Sequence, residues 1–297
     1  MSLCFEPIRA EFGARVSGVN LHLEMSAPVF AELRRALDEY SVLVFSNQPL
    51  DDERQVAFSR WWGPLEPTKG VNPASGTYFA RQSNLDIATG TIIPPSDRRM
   101  DYQRGNYLWH ADSTFKPVPS LCSILTAREV PTTGGNTEFV STRAAYEALT
   151  ADEQRELDPL TVVHDFSESR ARVGFTFTPK EAALYPPVLH PLVQTNPVTE
   201  RRSLLIGAHA SSIVGWPVDK GAALLASLLE KATHPALIYS HHWQVGDVVI
   251  WDNRSVLHRA TAYDIVHHRR LMQRTTISNP GVLETLAYRQ IAAHRSV

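Results

Sequence analysis

The sequence predicts a mainly β protein in which short strands form a barrel or jelly roll flanked by helices. Segments with the length and β-branched content of strands recur along the chain, at residues 121–127, 204–207, 236–240, 248–251 and 271–277. Helices are predicted mainly near the start and in one later stretch, and they do not alternate with the strands as in a βαβ sheet. No GxGxxG or GxxxxGKS/T sequence indicates a nucleotide-binding α/β fold.

The first helix is predicted to begin at Ser26, because Pro28 follows directly and Leu33 and Leu37 keep helical spacing. Residues 41–45 then have the character of a strand.

A second helix is predicted from position 51 or 52 to Gly63, since an aspartate is a good N-cap and a glycine a good stop. Its spacing is expected to place Phe58, Trp61 and Trp62 on the buried side.

Later helices are predicted near residues 142–149 and 220–231, the second within a helical insertion at about 217–232. Residues 64–108 are rich in Pro, Gly, Ser, Asn and Arg and lack a sustained period, which predicts long loops with little regular structure. Such loops inside a compact domain are usually functional, so 64–108 is the expected substrate lid. The whole chain, 1–297, is expected to form one domain.

Composition excludes several classes of partner. The formal net charge is -2, with Lys+Arg 29 and Asp+Glu 31, and no basic stripe indicates binding to nucleic acid. No segment approaches the ~18 apolar residues of a membrane span, and charged residues from Glu6 to Arg15 interrupt any secretory signal. The two cysteines, Cys4 and Cys122, do not make a disulfide framework. These features predict a cytoplasmic protein without a membrane partner, either monomeric or a homo-oligomer.

The segment from Trp109 to Phe115 contains the first chemical signal. On a strand, His110 and Asp112 would point to the same face and offer an imidazole and a carboxylate side by side. A third ligand would complete a 2-His-1-carboxylate site, which leaves positions open for a cosubstrate and oxygen. His258, on a strand that follows an apolar strand and a turn, is the candidate, although a buried histidine is often only a core residue.

The last predicted strand supplies a second signal, because Arg270 and Arg274 would share one of its faces. A solvated edge is the alternative interpretation, but it would leave Gln273 and Thr275 on the buried face. If the arginines point into a barrel, they need anionic partners, since burying an unpaired charge costs several kcal/mol. Arginine pairs bidentately with carboxylates, so the pattern favours small acidic ligands inside the barrel.

These motifs identify the chain as similar to a known family. It resembles the taurine dioxygenase family of Fe(II)/2-oxoglutarate-dependent dioxygenases across nearly its full length, and within it the 2,4-dichlorophenoxyacetate dioxygenase branch. The matching stretches are LWHADSTF, GGNTEF, TRAAYEAL, LLIGAHAS and GDVVIWDNRSVLHRATAYDI. The resemblance implies a double-stranded β-helix, or jelly-roll, core with flanking helices.

The resemblance also implies roles for individual residues. His110, Asp112 and His258 would be the iron ligands, and Thr137 and Arg270 would bind 2-oxoglutarate. The substrate-binding candidates share the motifs or the adjoining loops: Arg274, Asn106, Ser113, Lys69 and His209. For Lys69 the alternative is a merely solvated loop lysine, and for His209 it is a packing role.

The activity that the resemblance implies is oxidation of a small organic acid by O2 with conversion of 2-oxoglutarate to succinate and CO2. An aryloxyalkanoate such as 2,4-dichlorophenoxyacetate would be cleaved to a phenol and glyoxylate, and an alkylsulfonate of the taurine type is the alternative substrate. Two other classes remain open from the residues themselves. They are a zinc hydrolase, for which no HExxH spacing is present, and a non-catalytic jelly-roll binding protein.

Overall fold

The computed structural model describes residues 2–72 and 74–281. The strands over these residues are β1 (Cys4–Arg9), β2 (Phe12–Ser17), β3 (Val42–Phe45), β4 (Phe79–Ser83), β5 (Ser120–Glu129), β6 (Thr137–Ser141), β7 (Thr161–His164), β8 (Val188–Pro191), β9 (Val193–Thr195), β10 (Arg202–Leu204), β11 (Ala210–Ile213), β12 (Tyr239–His241), β13 (Val248–Asp252), β14 (Val256–Ala260) and β15 (Leu271–Ser278).

The helices of the same residues are α1 (Ala27–Tyr40), α2 (Asp52–Trp62), α3 (Arg98–Gln103), α4 (Thr142–Glu147), α5 (Ala151–Leu157), α6 (Phe166–Ala171), α7 (Pro179–Ala182) and α8 (Val218–Ala232). Short 3₁₀ helices cover Arg104–Tyr107 and Pro235–Leu237. None of the helices in the described part of the chain has both the length and the apolar character needed to cross a bilayer. The protein is therefore mainly β with flanking helices, as predicted.

Two sheets enclose the interior of the molecule. The large sheet has the order β1-β2-β3-β13-β5-β15-β4, and a small one has the order β12-β6-β14. Apolar side chains from both sheets meet in one buried cluster, in which Trp251 of the large sheet contacts Phe139 of the small one with ring centroids 5.6 Å apart. Burial of this apolar surface between the sheets holds the two layers together.

Helices cover the outer faces of both sheets. Leu33 of α1 and Phe58 of α2 pack on the large sheet against side chains such as Ile124. Tyr146 of α4 and Leu228 of α8 belong to a separate cluster on the outside of the small sheet. The predicted helix starts and stops are confirmed for α1, whose N-cap is Ser26, and for α2, whose C-cap is Gly63.

Strand alternation decides which side chains point between the sheets. On β14, the Val256 side chain belongs to the inner cluster and that of Leu257 to the outer one. His258, two residues after Val256, therefore points inward as well. On β15, Met272 is in the inner cluster and Arg274 lies on the same face of the strand; Arg270 directly precedes β15, two residues before Met272. The arginine face of this strand therefore points inward, as the sequence predicted.

Several predictions about elements are wrong. Trp61 is 40% exposed, because it lies about 100° around α2 from the buried Trp62. The segment 204–207 is strand only at residue 204, and within 236–240 the first two residues belong to a 3₁₀ helix and only the last two to β12. The β1–β2 hairpin and helices α5, α6 and α7 were not predicted, since these segments are too short for a clear period.

The expectation that residues 64–108 form long loops with little regular structure holds for most of the segment, but three short elements in it were not predicted. This segment contains β4, α3 and a 3₁₀ turn, and β4 pairs antiparallel with β15 at the edge of the large sheet. The sequence of β4, FARQS, is partly buried on both faces and shows no apolar alternation, so its pattern does not reveal a strand.

Candidate active site

His110, Asp112 and His258 form one buried cluster between the sheets. A ligand atom from each residue lies within 4.8 Å of the others, and Nε2 of each histidine is 3.7 Å from an oxygen of Asp112. His110 and His258 exchange backbone hydrogen bonds of 3.0 and 2.9 Å, which fixes the two rings beside each other. The three predicted ligands therefore converge on one point.

The strand predicted for residues 109–115 is only partly present. His110 makes an isolated bridge and Asp112 lies in a turn, so residues 109–115 are not a continuous strand. Ser113 has a φ of 58°, a left-handed conformation that ends the extended chain. The backbone N–H of Asp112 donates to the Asn253 side chain at 3.0 Å, where a strand partner would otherwise accept.

The protonation states suit a divalent cation. Burial lowers the pKa of His110 to about 4 and that of His258 well below its usual value. Burial opposes ionisation of Asp112, but the charge of Arg274, helped by the hydrogen bond from Ser123, lowers its pKa to about 2. Two neutral imidazoles and one carboxylate are therefore available as ligands near neutral pH.

Hydrogen bonds orient the ligands and leave metal-binding atoms free. His110 Nδ1–H donates to the Leu108 carbonyl at 2.7 Å, which leaves its Nε2 lone pair facing Asp112. The Ser123 hydroxyl donates to Asp112 Oδ2 at 2.7 Å. Both ring nitrogens of His258 are buried without a hydrogen-bond partner among the described residues. Such an orphaned imidazole beside a carboxylate fits a metal-binding role.

A cavity that is open to solvent adjoins this cluster. Phe115 forms part of its wall and stacks on Phe166 with ring centroids 3.9 Å apart, and Tyr185 meets the Phe115 ring edge-on at 5.3 Å. Tyr102 also lines this cavity. The cavity therefore has an aromatic side next to the metal-binding cluster.

All five substrate-binding candidates line this cavity, namely Arg274, Asn106, Ser113, Lys69 and His209. Their surroundings differ. The Arg274 guanidinium forms an ion pair with Asp112, and the Ser113 hydroxyl donates to Glu66 at 2.7 Å. His209 is buried with Nδ1 3.0 Å from the Thr114 hydroxyl, whereas Lys69 is exposed at the rim.

Arg270 lines a second cavity that shares Asn106 with the first. The guanidinium is buried and donates to the carbonyls of Gln82 and Gly135, but Nε has no partner and no carboxylate pairs with Arg270 within the described ranges. Burial lowers its pKa. A buried cation whose hydrogen-bond acceptors are backbone carbonyl oxygens favours an anionic ligand.

Thr137 lies on β6 with an oriented hydroxyl. Trp243 Nε1–H donates to Thr137 Oγ1 at 2.9 Å, so the hydroxyl proton remains available for an acceptor. Thr137 is 3% exposed and therefore presents this donor inside the molecule.

Sequence reasoning missed several cavity residues, including Arg170, Phe166, Tyr185, Glu66 and Lys116. They come from segments far from the motifs, and only the fold brings them to the cavity. The i, i+4 spacing of Phe166 and Arg170 on a helix was a weak signal that both could share one face.

Comparisons with known proteins agree with this site. Residues 5–276 match the family model described as "Taurine catabolism dioxygenase TauD, TfdA family". The chain is 41% identical over 288 residues to an alpha-ketoglutarate-dependent 2,4-dichlorophenoxyacetate dioxygenase of Cupriavidus pinatubonensis, covering 95% of this chain and 100% of that protein.

Solved structures are also similar. A crystal structure of AAD-2 in complex with Mn(II) and N-oxalylglycine has a TM-score of 0.87 and 38% identity, covering 94% of this chain and 98% of that one. A taurine dioxygenase from Burkholderia xenovorans has a TM-score of 0.75 and 29% identity, covering 94% and 90%. The hydrolase and binding-protein alternatives are thereby set aside. The chain belongs to the TauD/TfdA family and is a 2-oxoglutarate-dependent dioxygenase that requires Fe(II) and O2.

Proposed function

We propose that the protein oxidises an aryloxyalkanoate, such as 2,4-dichlorophenoxyacetate, at the carbon beside the ether oxygen. The observation that carries this proposal is a cavity that combines an aromatic wall with arginine side chains next to the metal-binding cluster. The greater identity to the 2,4-dichlorophenoxyacetate enzyme, 41% against 29% for the taurine enzyme, supports the aryloxy group over an alkylsulfonate.

In this proposal His110, Asp112 and His258 hold Fe(II), and the donor set fits it. Two neutral imidazoles and one ionised carboxylate make the 2-His-1-carboxylate set that leaves coordination positions open. The unpartnered nitrogens of His258 support the same assignment. Bound Fe(II) would supply the activation of O2 that couples decarboxylation of 2-oxoglutarate to oxidation of the substrate.

The cosubstrate is assigned to Arg270 and Thr137. A buried guanidinium without a carboxylate partner and a hydroxyl with a free proton would together hold the distal carboxylate of 2-oxoglutarate. Both groups are fixed beforehand, Arg270 by two carbonyls and Thr137 by Trp243. Such preorganisation reduces the entropy lost on binding.

The substrate is assigned to the first cavity. Arg274 would attract its carboxylate, and Asn106, Ser113 and His209 would supply further polar contacts. Lys69 lies at the exposed rim and would act on the incoming anion through its charge. Phe115 and its neighbours would hold the aryl ring and exclude water.

We further infer that residues 1–297 form one domain with a jelly-roll core, in which the large and small sheets are the two layers. Residues 64–108 supply Lys69, Gln82, Tyr102 and Asn106 to the cavity wall, which supports the substrate-lid assignment. Residues 217–232 contain α8 on the outside of the small sheet, consistent with an insertion that stabilises this layer.

The reaction consumes O2, 2-oxoglutarate and the substrate, and it gives succinate, CO2 and the hydroxylated substrate. Hydroxylation beside an ether oxygen makes a hemiacetal, which collapses to a phenol and glyoxylate. The chain's own contribution is orientation of both anions and exclusion of water.

The test compares 2,4-dichlorophenoxyacetate with taurine at equal concentration in the presence of Fe(II) and 2-oxoglutarate. We expect phenol and succinate in equal amounts from the first compound. Sulfite from taurine with no phenol from any aryloxyacetate would contradict the substrate assignment while leaving the dioxygenase activity intact.

A further inference from the structure

Arg170, at the end of α6, places a second guanidinium on the wall of the substrate cavity. Its side chain is 5% exposed, and it lines the cavity together with Arg274. Nε has no hydrogen-bond partner, and no carboxylate forms an ion pair with Arg170 over residues 2–72 and 74–281. A buried and uncompensated cation of this kind is costly unless an anion neutralises it.

The other buried arginines show what a purely structural guanidinium looks like in this fold. Arg254 is paired with Asp38 and Asp252, at 2.6 and 2.7 Å. Arg143 donates to three backbone carbonyl oxygens, at 2.7 to 3.1 Å. Arg170 has neither arrangement, so structural neutralisation does not explain its burial.

Aromatic rings hold the Arg170 guanidinium in a fixed position. Its central carbon lies 4.9 Å from the centre of the Tyr102 ring and 4.7 Å from that of Phe166. A Cβ atom at Gly105 would lie 1.7 Å from Nη1, so the absence of a side chain at Gly105 makes room for the guanidinium. Cation–π contacts and this recess preorganise the group.

Arg170 and Arg274 differ in whether a carboxylate of the protein already pairs with the guanidinium. Arg274 is paired with Asp112, so its charge is already partly neutralised. Arg170 lines the same cavity as His110 and Asp112 of the metal-binding cluster. Arg170 therefore brings to the substrate cavity a positive charge that no carboxylate of the described residues neutralises.

We propose that Arg170 is a second anion-binding residue of the substrate cavity and that it receives the substrate carboxylate alongside Arg274. This inference rests on the proposed function, because it concerns the anionic group of the same substrate. Two guanidiniums around one carboxylate would make the site selective for acids over neutral analogues of the same shape. The aromatic rings that hold Arg170 belong to the same cavity wall, so charge and ring recognition would act together.

The test measures kcat/KM of the Fe(II)- and 2-oxoglutarate-loaded enzyme for 2,4-dichlorophenoxyacetate and for the neutral alcohol 2-(2,4-dichlorophenoxy)ethanol. We expect the wild type to prefer the acid. Arg170→Gln should lower kcat/KM for the acid by about 10- to 150-fold, the range for a hydrogen bond to a charged group. Its kcat/KM for the alcohol and its KM for 2-oxoglutarate should stay close to the wild-type values.

Arg172→Gln is the matched control, since Arg172 follows the same helix but its exposed side chain pairs with Glu168 at the surface. It should leave the acid-to-alcohol ratio unchanged. Gly105→Ala is a second route to the same result if Arg170→Gln does not fold. Its new methyl group would displace the guanidinium without removing the charge, and it should also reduce the preference for the acid.

The outcomes separate the two proposals. A folded Arg170→Gln or Gly105→Ala enzyme that keeps the wild-type preference for the acid overturns the role of Arg170 and leaves the proposed function standing. A wild type that cleaves the alcohol as well as the acid overturns the anion requirement itself. If taurine is the substrate, the same variants are compared on taurine and ethanolamine, with the same expected loss of preference.

Discussion

Arg254 and Arg270 are both buried, but only Arg254 is neutralised by carboxylates of the fold. Arg254→Gln would leave Asp252 without its cationic partner and Asp38 with Arg34 as its remaining ion-pair partner, which should destabilise the protein by about 3–5 kcal/mol. Arg270→Gln removes a charge that has no carboxylate partner among the described residues, so the free energy of unfolding should change little. The KM of the Arg270→Gln variant for 2-oxoglutarate should instead rise steeply.

Urea unfolding and the KM for 2-oxoglutarate, measured on both variants, test this contrast. An Arg270→Gln variant with a wild-type KM would move the cosubstrate site elsewhere. An Arg254→Gln variant with unchanged stability would show that this ion-pair cluster does not contribute as argued.

The histidine ligands support a second prediction. His110→Ala or His258→Ala should abolish the weak visible absorption band that appears when Fe(II) and 2-oxoglutarate are added without oxygen, because two ligands hold a metal far less tightly than three. His267→Ala is the control, since its side chain is 77% exposed. Circular dichroism should show all three variants folded. Retention of the band in both ligand variants would contradict the assignment.

The sequence was informative for residues whose chemistry lies in short motifs. His110, Asp112, His258, Arg270 and Arg274 were selected by spacing and resemblance, and the structure brings them to one interior. Arg170 was not selected, because only the packing of α6 against residues 102–105 turns it toward the cavity. Charge on a short helix is usually solvated, so its pattern alone does not indicate burial.

Strand β15 is unusual because neither of its faces is fully apolar. Its outer face packs under α2, where Thr275 is fully buried and its hydroxyl is 2.7 Å from that of Ser59. Gln55 of the same helix donates to the Gln273 carbonyl at 2.9 Å. The polar outer face was visible in the sequence, but the helix that satisfies it is more than 200 residues away and could not be inferred.

This interface gives a prediction at the level of elements. Ser59→Ala should cost about 1–3 kcal/mol, because the Thr275 hydroxyl loses its partner in a buried position. Adding Thr275→Val removes that unsatisfied hydroxyl and should recover much of the loss. Urea unfolding of the two single variants and the double variant gives the coupling energy. Strict additivity would show that the two hydroxyls do not depend on each other.

The fold class was predictable from the sequence, but the strand order of the sheets was not. Apolar strands and two early helices were enough to predict a mainly β protein with flanking helices. The order of the large sheet was not predictable, because β13, β5 and β15 are neighbours although they are distant in sequence. Pairings of this kind depend on tertiary packing, which single-sequence periodicity does not contain.

Cys122 lies inside the large sheet, so the reactivity of its thiol can be used to follow unfolding of the whole molecule. It is fully buried on β5, between Asp252 of β13 and Ile277 of β15, and belongs to the cluster beneath α1 and α2. Burial raises the pKa of its thiol. Cys4 on β1 is exposed. An aromatic disulfide reagent should therefore modify one thiol per chain in the native protein and two in denaturant.

The slow modification of Cys122 should also depend on ligands. Reaching this thiol requires the centre of the large sheet to open, so its rate should follow the population of globally unfolded protein. In the presence of Mn(II), 2-oxoglutarate at about 100 times its own dissociation constant should stabilise the folded state by about 2.7 kcal/mol. The modification of Cys122 should then be about 100-fold slower. The Cys4 rate in the same sample is the internal control, because β1 is an edge strand remote from the sheet centre. If Cys122 reacts as fast as Cys4, or at a rate that ligands do not change, then β5 opens locally and the two-sheet core does not unfold as one unit.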